Sequence, residues 1–245
     1  MDIITSISNS KVANVRKLIS SSEYRYECGM YVAEGANIVN DLPAELIAEI
    51  YLTVKAQDKL KNSFSGTKYF VSEKVMQAMS DTKSPSGILA ICKMPKFGAV
   101  TDFACQAILA DNLNDPGNMG TIIRTAVACG VENLLLYGDC VDVYSPKVVR
   151  ASMGGIVHII PTKIDNIARL NNLFVLDMAG ENIYNMPQLP KNFILVVGSE
   201  AHGVSQEVRK QASKTISLPM NAKMESLNAG VSLSIALYHF INGGR

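Results

Sequence analysis

The spacing of hydrophobic positions divides the chain into two regions. In the first region, apolar residues recur at three- and four-residue steps from Val12 to Ile19, which predicts a helix with Ser10 as its N-cap. Further segments are predicted as strands over 31–35, 47–54, 69–71 and 88–92, and as helices over 38–42 and 72–79. These short elements indicate a small α/β domain over 1–95.

From residue 105 onward, short β-prone runs alternate with helical patterns. Strands are predicted over 107–113, 133–137, 156–161, 173–178, 193–197 and 215–218, and helices over 118–129, 145–152, 205–212 and 226–241. This alternation is typical of an α/β domain whose parallel sheet is covered by helices on both faces. A Pro/Gly stretch, Met94-Pro-Lys-Phe-Gly98, separates the two patterns, so we expect a linker over 96–104 and a second domain over 105–245.

The composition is that of an ordinary globular protein, with 245 residues, 48% hydrophobic, 18% charged and a formal net charge of +1. This charge does not by itself indicate a nucleic-acid partner, so any basic face must come from local clustering. Apolar runs stay well short of the roughly 18 residues of a membrane span, and the N-terminus lacks the pattern of a signal peptide. We therefore expect a cytoplasmic protein with no membrane association.

The cysteines and histidines give no sign of a metal site. There are five cysteines, an odd number, with no Cys-x-x-Cys pair, and the three histidines are scattered. A disulfide framework and a zinc centre are both disfavoured, and no activating partner marks a catalytic cysteine. We expect no metal cofactor.

The first loop that contains candidate functional residues follows the strand predicted over 107–113. Pro116-Gly117 turns the chain, and a helix is predicted to start near Asn118, whose N-terminal N–H groups suit an anion. Arg124 lies six positions further, about 240° around an ideal helix, so the two side chains share a pocket only if Asn118 sits in a frayed first turn. An Asn N-cap followed by a solvated arginine is the alternative interpretation.

The second loop, over 198–205, follows a wholly apolar strand. Gly198 and Gly203 permit close approach of backbone to a ligand, and Glu200 lies between them at the carboxyl end of the strand, where open α/β sheets bind ligands. A charge that meets the helix dipole would also explain Glu200. The segment lacks the middle glycine of a dinucleotide-binding fingerprint and the Gly-Lys-Ser/Thr of a P-loop, which excludes both motifs.

The third loop leads from the strand predicted over 215–218 into the last helix. Pro219 ends the strand, and Ser226 is a natural N-cap. The helix carries an apolar stripe that we interpret as core-facing: Leu227, Val231, Ile235 and Tyr238, widened by Leu233, Leu237 and Phe240. Asn228 is unfavourable inside a first helical turn unless its amide has a partner.

Together these loops resemble the three ordered motifs of the SpoU-type (TrmH-like) RNA 2′-O-ribose methyltransferases. The matching segments are Asn-Leu-Asn-Asp-Pro-Gly-Asn-Met-Gly-Thr-Ile-Ile-Arg-Thr-Ala, Val-Gly-Ser-Glu-Ala-His-Gly-Val-Ser and Leu-Pro-Met-Asn-Ala-Lys-Met-Glu-Ser-Leu-Asn. The region before residue 95 resembles, more loosely, the family's small L30e-like substrate-binding domain through Tyr31-Val-Ala-Glu-Gly-Ala-Asn and Ser84-Pro-Ser-Gly-Ile-Leu-Ala.

The resemblance implies a catalytic domain with a deep trefoil knot, S-adenosylmethionine (AdoMet) as methyl donor, and a homodimer with active sites at the subunit interface. It implies a catalytic set of Asn118, Arg124, Glu200, Ser226 and Asn228. The cofactor-binding residues that it implies are Gly198, Glu200, Gly203, Leu218, Met220, Ser226 and Leu227. A guanidinium rarely gives up its proton, so we expect Arg124 to grip the target phosphate rather than to act as a base.

An L30e-like domain suits structured RNA, and we expect 23S ribosomal RNA as the substrate ahead of tRNA. Two other functions stay open from the sequence. One is a non-catalytic RNA-binding relic of the family, and the other is a related knotted enzyme that methylates a base nitrogen. The set of Asn118, Arg124, Ser226 and Asn228 argues against the second of these.

Overall fold

The computed structural model describes residues 2–61, 64, 66–96, 105–186 and 190–243. The chain forms two compact units: Met1–Lys96 with Asp142–Val157, and Phe97–Val141 with His158–Arg245. The linker predicted over 96–104 lies outside the described residues apart from Lys96. Within the described ranges, no helix combines the length and the apolar character that crossing a membrane requires.

The first unit is a five-stranded mixed sheet with helices. Its strands are β1 (Ile3–Ile4), β2 (Met30–Glu34), β3 (Ile47–Leu52), β4 (Thr67–Val71) and β5 (Ile88–Lys93), in the order β1-β4-β3-β5-β2. Its helices are α1 (Ser10–Ser20), α2 (Ser22–Cys28), α3 (Ala36–Asp41) and α4 (Glu73–Met79), together with α6 (Pro146–Ala151) from the 142–157 segment. Apolar side chains of α1 and α4 form a core against this sheet.

Two features of the first unit differ from the sequence prediction. The side chain of Asn9, not Ser10, caps α1, because the extended backbone at Asn9 lets its Oδ1 accept from Lys11 N–H at 2.9 Å. Helix α2 was not predicted, since its sequence, Ser-Glu-Tyr-Arg-Tyr-Glu-Cys, lacks a continuous apolar stripe. Its Arg25 is buried, and the contacts of this side chain hold the helix in place.

Arg25 forms a buried ion pair with Asp142. The Arg25 Nε donates to Asp142 Oδ2 at 2.8 Å, and its Nη1 donates to the carbonyl of Leu18 at 2.6 Å. Asp142 also accepts from Ser22 Oγ at 3.0 Å and from Tyr26 OH at 3.1 Å. Each charge is therefore hydrogen-bonded, which buried charges require. This network fixes the 142–157 segment within the first unit.

The second unit contains a six-stranded sheet in which every pairing is parallel, so the predicted parallel α/β fold is confirmed. Its strands are β6 (Gln106–Asp111), β7 (Asn133–Tyr137), β8 (Ile160–Ile164), β9 (Leu173–Asn182), β10 (Phe193–Gly198) and β11 (Lys214–Ser217), in the order β11-β9-β10-β6-β7-β8. Its helices are α5 (Pro116–Ala128), α7 (Gln206–Gln211) and α8 (Ala229–Asn242). The chain runs from β6 to β7 and β8 on one side and places β10 on the other, which creates a topological switch between β6 and β10.

Two strand boundaries were predicted wrongly. The strand expected over 156–161 is a 3₁₀ turn at Gly155–His158, and β8 starts only at Ile160. Ile156 is fully buried in that turn. A short apolar run indicates burial but does not distinguish a strand from a turn, which explains the wrong prediction. Strand β9 continues four residues beyond the predicted Met178 to Asn182, where Glu181 and Asn182 pair with β11 past a bulge. The knot implied by the resemblance stays a prediction.

Candidate active site

A pocket of about 360 Å³ opens at the carboxyl ends of β10 and β11 and beside the middle of β9 in the second unit. Its walls include every residue for which the resemblance implied cofactor binding, namely Gly198, Glu200, Gly203, Leu218, Met220, Ser226 and Leu227. The remaining lining residues are Leu176, Asp177, Met178, Val197, Ser199, Ile216, Ser217, Asn228, Ala229 and Ser232. Two polar loops that are far apart in the sequence, the second and the third, therefore border one cavity of the size of a small-molecule site.

The second loop is a tight turn that only glycine permits at its two ends. Ser199 and Gly203 exchange backbone hydrogen bonds at 3.2 and 2.8 Å, and Gly203 has φ +66°. A Cβ on Gly198 would lie 2.2 Å from the carbonyl of Gly203. The backbone at these positions is therefore packed against itself, which holds Glu200 at the pocket.

Asn118 connects the first loop to the second. Asp115 caps α5, with its Oδ1 accepting from Asn118 N–H at 2.7 Å, so the helix begins at Pro116 and Asn118 is not the N-cap. Its buried side chain instead donates through Nδ2 to Glu200 Oε1. The interpretation of Asn118 as a capping residue is thus wrong, and the amide is free to orient the Glu200 carboxylate.

The third loop leads into α8 through Asn228. The Asn228 Oδ1 accepts from Val231 N–H at 3.1 Å, which makes Asn228 the N-cap, whereas Ser226 was predicted for that position. This bond explains the amide at the helix start that the sequence left unexplained. Ser226 instead lines the pocket, as Asn228 does.

Arg124 is the one member of the implied catalytic set that neither lines this pocket nor hydrogen-bonds to a described residue that lines it. It lies on an exposed part of α5 and is absent from the pocket lining, while Asn118 is 5% exposed and reaches Glu200. The six-residue spacing predicted different helix faces, and Asn118 does not sit in a frayed turn that would remove this difference. Within one chain, the structure does not bring Arg124 together with the other four residues.

Asp177 is a pocket residue that the sequence analysis missed. Burial raises the pKa of this carboxyl group, but the N–H of Ala179 and the guanidinium of Arg209 outweigh burial, and the net pKa lies below its ordinary value. Asp177 Oδ2 lies 2.6 Å from Arg209 Nη2. Asp177 lies inside the strand predicted over 173–178 rather than in a loop, so a search for polar residues in the loops that follow strands did not include it.

No group of three or more His, Cys, Asp or Glu side chains suited to a metal ion occurs in the part of the chain that the structure describes. Aliphatic, small polar and anionic groups line the pocket, and none of the described residues in its lining is basic. The arrangement favours a ligand with an apolar portion and positive charge.

Comparison with known proteins decides the family. A model of the SpoU rRNA methylase family matches residues 106–238, more than half of the chain, and a model of the MRM3-like substrate binding domain matches residues 9–90. The chain belongs to the SpoU rRNA methylase family. The prediction made from the three motifs is thereby confirmed.

Relatives of this SpoU family member include a Bacillus subtilis protein named 23S rRNA (guanosine(2553)-2′-O)-methyltransferase RlmP. The two are 30% identical over 98% of this chain and 99% of that protein. Among solved structures, an RNA 2′-O ribose methyltransferase is 25% identical, with a TM-score of 0.81 and 98% of both chains covered. An AdoMet-bound rRNA methyltransferase from Sinorhizobium meliloti has a TM-score of 0.81 over 98% of this chain and 97% of that one, at 24% identity, and it shares the fold.

Proposed function

We propose that this protein transfers the methyl group of AdoMet to a ribose 2′-hydroxyl of 23S ribosomal RNA. The observation that carries the proposal is the pocket at the carboxyl ends of β10 and β11, beside the middle of β9, where Gly198, Leu218 and Leu227 line one cavity. Family membership and the full-length relative RlmP support a ribose of 23S rRNA as the target.

The residues of the pocket fit AdoMet. Its sulfonium and ammonium groups are cationic, and the pocket lining offers the carboxylates of Glu200 and of Asp177, the second of which is paired with Arg209. Leu176, Val197 and Leu218 offer an apolar surface to an adenine ring. When bound, AdoMet supplies an activated methyl group.

The chain's own residues would orient and desolvate the reacting groups. Glu200 is held by the amide of Asn118, which fixes the direction of its carboxylate. Ser226 and Asn228 border the pocket at the start of α8, where they are placed to orient the ribose. Alignment of the 2′-oxygen with the methyl carbon is the main requirement of such a displacement, and the hydroxyl proton leaves to water or phosphate. Arg124 would bind the target phosphate and favour ionisation of the hydroxyl.

We further propose a homodimer in which Arg124 serves the pocket of the partner subunit. Helix α8 exposes an apolar stripe that a second copy would cover, with Val231 44%, Ile235 37% and Tyr238 52% exposed. Helix α5, which carries Arg124, packs beside α8, where Thr125 Oγ1 and Ser234 Oγ lie 2.8 Å apart. A two-fold contact through α8 would bring α5 towards the partner, since such an interface uses the same surface of both subunits.

A ribosomal RNA target also supports the cytoplasm as the location of this protein.

The test of the activity is transfer of radiolabelled methyl from AdoMet to 23S rRNA and to tRNA taken from cells that lack the gene. We expect label in 23S rRNA as a 2′-O-methyl nucleoside, and guanosine 2553, the position in the RlmP name, is the first to map. Label on a base nitrogen, or label in tRNA alone, would contradict the proposed substrate. Absence of AdoMet binding by calorimetry, with RNA present, would instead indicate the non-catalytic relic.

The shared active site is tested by mixing two inactive variants. Subunits with Arg124→Ala and subunits with Glu200→Ala are co-refolded at equal concentration. Random pairing gives half heterodimers, each with one complete site, so we expect about a quarter of wild-type activity if Arg124 acts across the interface. Inactivity of the mixture, with heterodimers verified by mass spectrometry, would show that Arg124 acts in its own subunit's pocket.

A further inference from the structure

We infer that Arg209 is a positioning residue for the cofactor pocket, acting through Val204 and Asp177. This inference rests on the proposed function to the extent that the pocket binds AdoMet. Arg209 does not line the pocket, and the motifs of the family resemblance do not include it. Its role follows from the contacts of the 199–204 turn, which is the turn of the second loop.

The turn has few internal restraints. The Ser199–Gly203 backbone pair closes it, and His202 N–H donates to Ser199 Oγ at 3.2 Å. These bonds fix the shape of the turn but not its place above the sheet. The amide of Asn118 holds the Glu200 side chain, and further anchors to the rest of the unit must hold the backbone of the turn, because Glu200 and Gly203 are exposed.

Two anchors follow Gly203 directly. Ser205 N–H donates to Asp111 Oδ2 at 2.6 Å, from the fully buried end of β6. The carbonyl of Val204 accepts from Arg209 Nε at 2.9 Å. Asp111 therefore holds the turn to the central strand, and Arg209 holds it from the side.

The same guanidinium reaches a second pocket wall. Arg209 Nη2 lies 2.6 Å from Asp177 Oδ2, while Asp177 Oδ1 accepts from Ala179 N–H at 2.9 Å. The planar fork of arginine bonds both groups at once, which the single ammonium of a lysine cannot reproduce. Arg209 thus couples the turn that carries Glu200 to the carboxylate on β9, and it keeps Asp177 ionised beside a cationic ligand.

The test compares Arg209→Gln with Lys210→Gln, which removes the same charge from an exposed neighbour on α7. We expect Arg209→Gln to weaken AdoMet binding about tenfold or more by calorimetry, the loss typical of one charged hydrogen bond, and to leave kcat at saturating AdoMet near the wild-type value. Hydrogen exchange of the 199–204 amides should rise in Arg209→Gln and not in Lys210→Gln. Equal AdoMet affinity and equal exchange in the two variants would overturn the inference.

Two further variants separate positioning from general destabilisation. Arg209→Lys keeps the charge, and we expect AdoMet binding weaker than in the wild type; wild-type affinity in this variant would overturn the inference even if Arg209→Gln fails to fold. Asp177→Asn combined with Arg209→Lys should lose less affinity than the sum of the single changes, because the two act through one contact. If the wild type itself does not bind AdoMet, the proposed function fails, whereas the exchange measurement still tests the anchoring of the turn.

Discussion

Substitution of Gly198 by alanine tests whether the shape of the 199–204 turn determines cofactor binding. A Cβ at this position would lie 2.2 Å from both the carbonyl carbon and oxygen of Gly203 and 2.3 Å from Val204 N, where ordinary contacts are 3.4–4 Å. All three atoms belong to backbone, so no side chain can rotate away, and the turn must move by more than an ångström. Overpacking of this kind costs about 1–3 kcal/mol.

If the displacement of the turn weakens the binding free energy of AdoMet by the same amount, the affinity falls by about 5- to 150-fold. Calorimetric titration of AdoMet measures this loss, and circular dichroism checks that the variant is folded. Gly130→Ala is the matched control, because Gly130 has φ +75° with open space around it, so alanine adds about 1 kcal/mol of backbone strain away from the pocket. Wild-type affinity in folded Gly198→Ala would refute the reasoning, as would an equal loss in Gly130→Ala.

Three further predictions concern stability. Asn228→Ala should lower the free energy of unfolding by about 1 kcal/mol through loss of the α8 cap, while Asn228→Asp, which keeps a capping oxygen, should not; thermal denaturation compares them. Arg25→Ala should cost about 3–5 kcal/mol in denaturant titration by leaving the carboxylate of Asp142 buried without its partner, and a loss under 1 kcal/mol would contradict a buried ion pair. Because the folded-state pKa of Asp177 lies below its ordinary value of 3.8, its contribution is present above that pH and is lost as the pH falls through the folded-state pKa. The stability difference between wild type and Asp177→Asn should therefore stay constant at neutral pH and shrink as the pH falls below 3.8, and a constant difference throughout would exclude this origin.

The pattern of apolar residues, periodic in the helices and continuous in the central strands, made most of the fold predictable from the sequence. The central strands β6 and β10 are buried on both faces, so these two strands and the neighbouring β7 have continuous apolar runs and were located within one or two residues. Helix α2 was not predicted because its position depends on the Arg25–Asp142 ion pair, which joins residues 117 positions apart in the sequence. No local pattern reports a contact of that separation.

The candidate site was predictable where glycine and polar residues interrupt a strand end, and not elsewhere. Glu200 attracted attention because it lies in a Gly-flanked turn that stability alone does not explain, whereas Ser226 was interpreted as an N-cap and entered the candidate site only through the family resemblance. Asp177 was missed because it lies inside β9, a strand that continues past the pocket to pair with β11. Arg209 was missed because it acts from a helix through two bonds that only the folded chain brings together.

The last helix shows most clearly what a single sequence cannot separate. Its apolar positions were interpreted as one core-facing stripe, but they form two faces. Leu233, Leu237 and Phe240 are buried, whereas Val231, Ile235 and Tyr238 are exposed. A helix that buries one face in its own subunit and another in a partner is hydrophobic nearly all round, and periodicity then reports the sum of both faces. Only the position of the sheet beneath α8 reveals which face remains uncovered, and the proposed homodimer is the assembly that would cover that face.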